Sequence, residues 1–245
     1  MKLSVIIPMY NENSIVTDTA AELGAYLEDY CKAGGHTFEL LFSDDGSVDG
    51  CGNTLRNWIP AHSFAAGEVC VVTSEHNYGK GHAVGLGMAA ATGDYALYTD
   101  CDLAYGVEVI GKAADAIMAA GTDILIGSRN LAADGYEGYT FLRKLASKTY
   151  IKVLCLYAGF RLSDSQCGFK CFKTAVGQAL FAKNSTDGWA FDIEILLRAT
   201  RAGYTITEFP VKILRHRESK IHLVRDSMRM LSDIRKIKRR LRAEK

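Results

Sequence analysis

No stretch of this 245-residue chain approaches 18 consecutive apolar residues, so the sequence offers no candidate transmembrane helix. Its seven cysteines (Cys31, Cys51, Cys70, Cys101, Cys155, Cys167 and Cys171) are odd in number and lack paired metal-type spacing. Cys167-x3-Cys171 has no partner pair, which excludes a structural zinc site. Most of these cysteines lie inside apolar segments, where a reduced thiol packs as a small hydrophobe. With no secretory leader read at the N-terminus, this leads us to expect a reducing, cytosolic setting. Internal repeats and low-complexity linkers are also missing, so a single domain is expected: a body over 1–214 and a basic amphipathic helix over 215–245 that extends it. The first apolar run leads into PMYNEN and not into G-x-G-x-x-G, so the dinucleotide cradle of a Rossmann dehydrogenase is absent.

What is present is an ordinary globular composition, 48% hydrophobic and 23% charged. The formal net charge of +1 conceals an asymmetry. From Arg215 to Lys245 there are 12 Lys/Arg against 4 Asp/Glu, and the remainder carries 17 against 24. A weakly acidic body with a basic tail points to an anionic surface or partner at the C-terminal end. No nucleic-acid partner is expected.

The first two-thirds of the chain alternates short β-rich runs with helical patterns. Strands are predicted at 3–8, 38–43, 68–74, 94–99 and 122–128, with helices over 14–32, up to 58, 82–91 and 107–120 between them. This alternation implies parallel βαβ units in a sheet flanked by helices. Beyond it come a long helix at 139–160, a loop DSQCGFKCF, helices at 174–181 and 189–203, a strand in TITEFPVKIL and a terminal helix from 219. Gly203 has the position of a C-cap.

In such sheets ligands bind beyond the C-terminal ends of the strands. Five polar clusters stand there: Tyr10-Asn11-Glu12, Asp44-Asp45-Gly46-Ser47, Asn77-Tyr78-Gly79-Lys80-Gly81, Asp100-x-Asp102 and Gly127-Ser128-Arg129. In extended chain, residues i and i+2 point to one side. Asp100 and Asp102 would therefore face one spot, where a divalent cation relieves their repulsion. The competing structural readings are that Asp100 caps the following helix and that Asp44 or Asp45 caps the helix after Ser47. Gly79 and Gly81 would admit a close backbone approach to a nucleotide, with Lys80 neutralising phosphate.

In their order, VIIPMYNE, SDDGSVDG, NYGKGHAVGLG and TDCD resemble the motifs of the family 2 glycosyltransferases, enzymes of the GT-A fold that use nucleotide sugars. GSRN, DSQCGFKCF, WAFDIEILLRA and RESKIHLVRDSMRML look most like the dolichyl-phosphate β-glucosyltransferases and their polyprenyl-phosphate relatives. The resemblance implies an α/β fold with a mostly parallel sheet. It implies that Pro8, Tyr10 and Glu12 shape the nucleotide pocket, that Asp44 and Asp45 read base and ribose, and that Asn77, Gly79 and Lys80 form the nucleotide loop. Asp102, with Asp100, would bind Mg²⁺ or Mn²⁺ at the pyrophosphate. Arg129 and Lys170 would hold donor and acceptor phosphates, and Gln166, Trp189 and Asp192 would line the acceptor side. Asp164, Asp187, Asp192 and Glu194 are candidates for positioning, or for the general base if the acceptor is a hydroxyl, although Asp187 equally fits a cap on the helix at Trp189. The related mannose synthases carry Gln two positions past the second Asp, where this chain has Ala104; that departure disfavours a GDP-mannose donor.

The function expected from the resemblance is metal-dependent, inverting transfer of a hexose, glucose first, from a UDP-sugar to a polyprenyl phosphate at the cytosolic face of a membrane. A membrane-protein partner would fit this reading. Ile221, Val224, Met228, Leu231, Ile234, Ile237 and Leu241 form an apolar helical stripe beside Arg225, Arg229, Arg235, Lys236, Arg239 and Arg240. Such a helix can lie on an anionic bilayer or pack on the core; its end, IRKIKRRLR, is the better membrane candidate. The rivals are the same fold acting on a saccharide or other hydroxyl, and a nucleotide-binding protein without turnover.

Overall fold

The computed structural model describes residues 1–136, 141–215 and 223–244. Within these, seven strands form one sheet: β1 (Lys2–Met9), β2 (Thr37–Asp44), β3 (Gly67–Thr73), β4 (Tyr95–Tyr98), β5 (Ile124–Ser128), β6 (Lys170–Lys173) and β7 (Ile206–Pro210). Their spatial order is β3-β2-β1-β4-β6-β5-β7, parallel throughout except for β6, which runs antiparallel to both its neighbours. Eight α-helices pack around it: α1 (Val16–Gly34), α2 (Cys51–Trp58), α3 (Lys80–Ala90), α4 (Glu108–Ala120), α5 (Phe141–Ala158), α6 (Thr174–Phe181), α7 (Phe191–Ala202) and α8 (Leu223–Ala243).

β1 shows why two layers of helix are needed. Leu3, Val5, Ile7 and Met9 enter one core with α1, α2 and α4, while Ile6 enters the other with α3, α5, α6, α7 and α8. Both faces of the strand are apolar, so both are covered, as parallel sheets require. Gly203 ends α7 in the left-handed conformation, the cap its position predicts.

β6 is the element that sequence reasoning places in a loop. It has four residues, and Cys171 and Phe172 enter opposite cores, so no hydrophobic alternation marks it. The apolar stripe of α8 also has a settled place. Ile234, Ile237 and Leu241 are buried in the second core, so the helix end cannot offer that stripe to a bilayer; only its basic face is turned outward. Ile221 and most of the RESKIHLVRDSMRML motif lie outside the described residues and side chains.

Register sets the working edge. Met9 pairs with Asp44 and Asp44 with Thr73, so three strands end level and release their loops side by side. β4 stops at Tyr98, opposite Ile6, which sets the Asp100–Asp102 turn back beneath the loop after β1. The antiparallel β6 begins at this level, with Lys170 opposite Tyr98.

Candidate active site

A cavity of about 450 Å³ opens at this edge, lined by Pro8, Met9, Tyr10, Glu12, Asp45, Asn77, Gly79, Lys80, Ala83, Asp100, Cys101, Asp102, Gly188 and Trp189. Its size suits a small-molecule ligand. Four strand-end loops and the segment before α7 contribute to one wall, as the five-cluster pattern anticipates for four of its members.

Local hydrogen bonding fixes each loop. Asn11 sits in the left-handed region, φ +55°, where Asn is tolerated. Its side-chain oxygen accepts from the N–H groups of Val48 and Asp49, which ties the β1 loop to the β2 loop. Asp44 turns away from the cavity and accepts the Ser47 N–H at 2.9 Å, so it shapes the turn and does not face a ligand. Asp45 lies on the wall and accepts from Tyr78 N–H at 3.2 Å and Gly79 N–H at 2.6 Å. Gly79 has φ +123° and ψ 167°, a region open essentially to glycine alone. A Cβ there would lie 2.6 Å from the Asp187 carbonyl. Gly81 serves packing instead of ligand approach: its N–H donates to that carbonyl at 2.7 Å, and a Cβ would meet Thr186 O at 2.6 Å. Asp187 thus contributes its backbone, and α7 begins without a side-chain cap.

Lys80 forms an ion pair with Asp100 and lies 5.5 Å from the Trp189 ring centroid. Burial pulls the ammonium pKa down, but Asp100, then Asp192 and Asp102, outweigh it and the net shift is upward. The group is therefore charged at neutral pH. The Asp102 carboxylate accepts the Ala104 N–H at 3.1 Å, and Leu103 between them takes φ +49°. The carbonyl of Ala104 accepts from Leu214 and Arg215, so the segment after β7 braces this turn. Asp100 does not cap α4, whose start carries no side-chain cap.

Glu12, Asp100 and Asp102 share the cavity wall. A Cβ on Gly168 would stand 2.4 Å from Asp100 Oδ2, so a glycine there leaves room beside that oxygen. Carboxylate oxygens are the donors that Mg²⁺ and Mn²⁺ prefer. Among the described residues no three His, Cys, Asp or Glu side chains form a metal cluster by themselves. The set fits a cation held by one or two carboxylates and completed by phosphate oxygens, the habit of Mg²⁺ in nucleotide sites.

The remaining expected residues are placed differently. Arg129 is off the cavity wall and pairs with the fully buried Asp164, Nε to Oδ2 at 2.7 Å and Nη2 to Oδ1 at 3.0 Å. Lys170 is 0% exposed; its ammonium donates to Asp192 and to the Cys167 carbonyl, each at 2.6 Å, and so is closed to a phosphate here. Asp192 also accepts from the Tyr98 hydroxyl, and burial followed by this carboxylate drives the Tyr98 pKa well above its ordinary value. Gln166 donates to Ser165 O at 3.4 Å and is off the wall, as Asp192 is, whereas Trp189 is on it and 63% exposed. Sequence reasoning missed Met9, Ala83, Cys101 and Gly188 on the wall, which carry no charged signal, and Tyr98 off it, which reads as a core aromatic inside an apolar strand.

Comparison with known proteins agrees with this arrangement. The family model Glycosyl transferase family 2 matches residues 4–178. Glycosyltransferase AglD of Haloferax volcanii is 30% identical over 96% of this chain and 36% of its own length. The dolichyl-phosphate β-glucosyltransferase of Drosophila melanogaster is 31% identical over 86% of this chain and 67% of its own. That of Saccharomyces cerevisiae is 30% identical over 95% and 72%. The chain thus spans about a third of the first relative and about two-thirds to three-quarters of the other two. Among solved structures, glucosyl-3-phosphoglycerate synthase from Mycobacterium tuberculosis, in complex with Mn²⁺, UDP and phosphoglyceric acid, aligns with TM-score 0.65 and 18% identity over 96% of this chain and 76% of its own. Mannosyltransferase PcManGT from Pyrobaculum calidifontis, in complex with GDP-mannose and Mn²⁺, aligns with TM-score 0.57 and 19% identity over 85% and 54%. These two structures establish the fold as GT-A. With a family match across most of its length, a sheet of the expected topology and the motif loops gathered on one cavity, the chain belongs to glycosyltransferase family 2.

Proposed function

We propose that this chain transfers a hexose, glucose first, from a UDP-sugar to a polyprenyl phosphate with inversion at the anomeric carbon, aided by Mg²⁺ or Mn²⁺. The observation that carries this reading is the single cavity holding Asp45, Asn77, Lys80, Asp100 and Asp102 together. The similar dolichyl-phosphate β-glucosyltransferases support the choice of sugar and acceptor.

In this reading Pro8 and Tyr10 flank the base, and Asp45 accepts from the uracil imino N–H while bracing the Gly79 turn. Asp102 and Asp100 would hold the cation, with Glu12 on the same wall. When bound, the cation stabilises negative charge on the departing diphosphate. Lys80 adds a fixed positive charge at the same place, pre-oriented by Asp100 and Trp189. An oxygen of the acceptor phosphate forms the new bond to C1 as the bond from C1 to the UDP β-phosphate oxygen breaks. With a second pKa near about 6, the acceptor is already a nucleophile at neutral pH and gives up no proton. The buried state of Asp192 favours this acceptor over a hydroxyl, because a carboxylate engaged by Lys170 and Tyr98 is poorly placed to act as a base.

A lipid acceptor requires approach to a bilayer, and α5 carries the apolar surface for it. Leu145, Val153, Leu156 and Tyr157 are exposed on this helix, Leu156 to 68%, with Lys148 and Lys152 also exposed. Lys238 of α8 donates to the Tyr157 carbonyl at 2.9 Å, which joins the basic face of α8 to this patch. Apolar residues rimmed by Lys and Arg are the composition of an interfacial surface on anionic lipid. Among the described residues no helix is long and apolar enough to cross a membrane. We place the enzyme at the cytosolic face, where nucleotide sugar and a reducing setting for its free thiols coincide.

Incubation of the full chain with labelled UDP-glucose, polyprenyl phosphate and Mn²⁺, followed by organic extraction, tests the proposal. Label in the organic phase is the expected result. Label confined to the aqueous phase contradicts it.

A further inference from the structure

Glu194, in the first turn of α7, is fully buried and off the cavity wall. Its Oε1 accepts from Arg198 Nε at 2.9 Å and from the Ser185 N–H at 3.3 Å. Its Oε2 accepts from the Thr186 hydroxyl and from the Arg240 guanidinium of α8. Arg198 in turn donates to both carboxylate oxygens of Glu244, at 2.8 and 2.9 Å. The buried Glu194 and Arg198 thus balance each other's charge, and the more exposed Arg240 and Glu244 complete the network toward solvent. Arg240 also donates to Thr186 Oγ1 at 3.1 Å.

Ser185 and Thr186 begin the segment whose far end, Gly188 and Trp189, is cavity wall. Between them, the Asp187 carbonyl takes the Gly81 N–H, and the fit is so close that neither Gly79 nor Gly81 could carry a Cβ. Trp189 then stands over Lys80. A continuous run of contacts thus leads from the last turns of the C-terminal helix to the nucleotide-facing lysine.

We infer that Glu194 and Arg240 are positioning residues: they set the 185–189 segment and, through it, the Gly79–Lys80 turn. The C-terminal helix, whose outer face is basic, thereby becomes a determinant of cavity geometry without touching the cavity. This goes beyond the proposed reaction and rests on it only for its kinetic consequence.

Hydrogen exchange by mass spectrometry on the ligand-free full chain tests the inference directly. Arg240→Ala should speed exchange at 184–190 and also at 77–82, which touches neither Arg240 nor Glu194, on the order of five-fold. Thr186→Val, which deletes only the hydroxyl link, should move the same two segments in the same direction. Arg240→Lys should restore most of the protection, and Arg242→Ala, an equal charge loss at an exposed neighbour, should change neither segment. In transfer assays, Arg240→Ala should raise the donor KM on the order of five-fold with kcat little altered. Faster exchange at 184–190 with 77–82 unmoved overturns the coupling, as does equal behaviour of Arg240→Ala and Arg242→Ala. Because the exchange readout needs no ligand, its failure is distinguishable from failure of the proposed reaction.

Discussion

Asp44 and Asp45 are adjacent in sequence, yet one holds a turn and the other faces the cavity. Replacing each in turn separates these jobs. Neither aspartate caps α2, which follows Gly50 without a side-chain cap, so Asp44→Ala should lower stability by about 1 kcal/mol, the usual worth of one hydrogen bond, and leave UDP affinity within about two-fold. Asp45→Ala should weaken UDP at least about ten-fold, because it removes a ligand-facing acceptor and loosens the Gly79 turn. Calorimetric titration and thermal melts read both effects. Gly79→Ala meets two obstacles, a backbone region closed to alanine and a carbonyl 2.6 Å from the new Cβ. A loss of about 1–3 kcal/mol in stability and of donor binding is expected from melts and UDP titration. The D-x-D pair was legible as two carboxylates just past a strand end, although they reach one wall through a turn, closed by the Leu103 N–H on the Asp100 carbonyl, and not through extended chain. Asp44 closes a local turn on Ser47, but the fates of Arg129 and Lys170 were not legible, because each is decided by a partner far along the chain. Arg129 meets Asp164 and Lys170 meets Asp192, and no local pattern announces either pair.

At the scale of elements, the parallel strands and their helices could be read from alternation alone, and Gly203 ends α7 as its position suggests. β6 could not, since four residues that feed two opposite cores carry neither periodicity. α8 shows the other limit. Its amphipathic stripe is plain in the sequence, but a stripe does not state what covers it, and here the second core does. The exposed apolar residues fall on α5 instead. Val153→Glu combined with Leu156→Glu should therefore reduce sedimentation with anionic vesicles on the order of ten-fold while leaving the melting temperature near wild type, since exposed sites carry little folding energy. Ile234→Glu buries a charge and should unfold the chain or lower its melting temperature sharply.

Across the whole molecule, stability depends on groups far from the cavity. Glu39 is buried at the opposite end of the strands, and burial alone would raise its pKa. Hydrogen bonds from Ser4, Thr92 and Lys2 outweigh this and bring it down to about 2. A carboxylate depressed on folding lends stability above its unfolded pKa and surrenders it as pH falls through the folded value. Unfolding free energy should thus decline by roughly 3 kcal/mol between about pH 4.5 and pH 2 from this residue, and Glu39→Gln should flatten that part of the curve. Denaturant titrations across this range check the sign and the window.

The central claim is that the strand-end cavity holds a nucleotide diphosphate through a cation on Asp100 and Asp102, and titration of UDP against the full chain by calorimetry addresses it most directly. With Mn²⁺ present, saturable one-to-one binding is predicted, weakened at least about ten-fold by EDTA or by Asp102→Asn. Absence of UDP binding, or an affinity indifferent to both the metal and Asp102, would contradict the account.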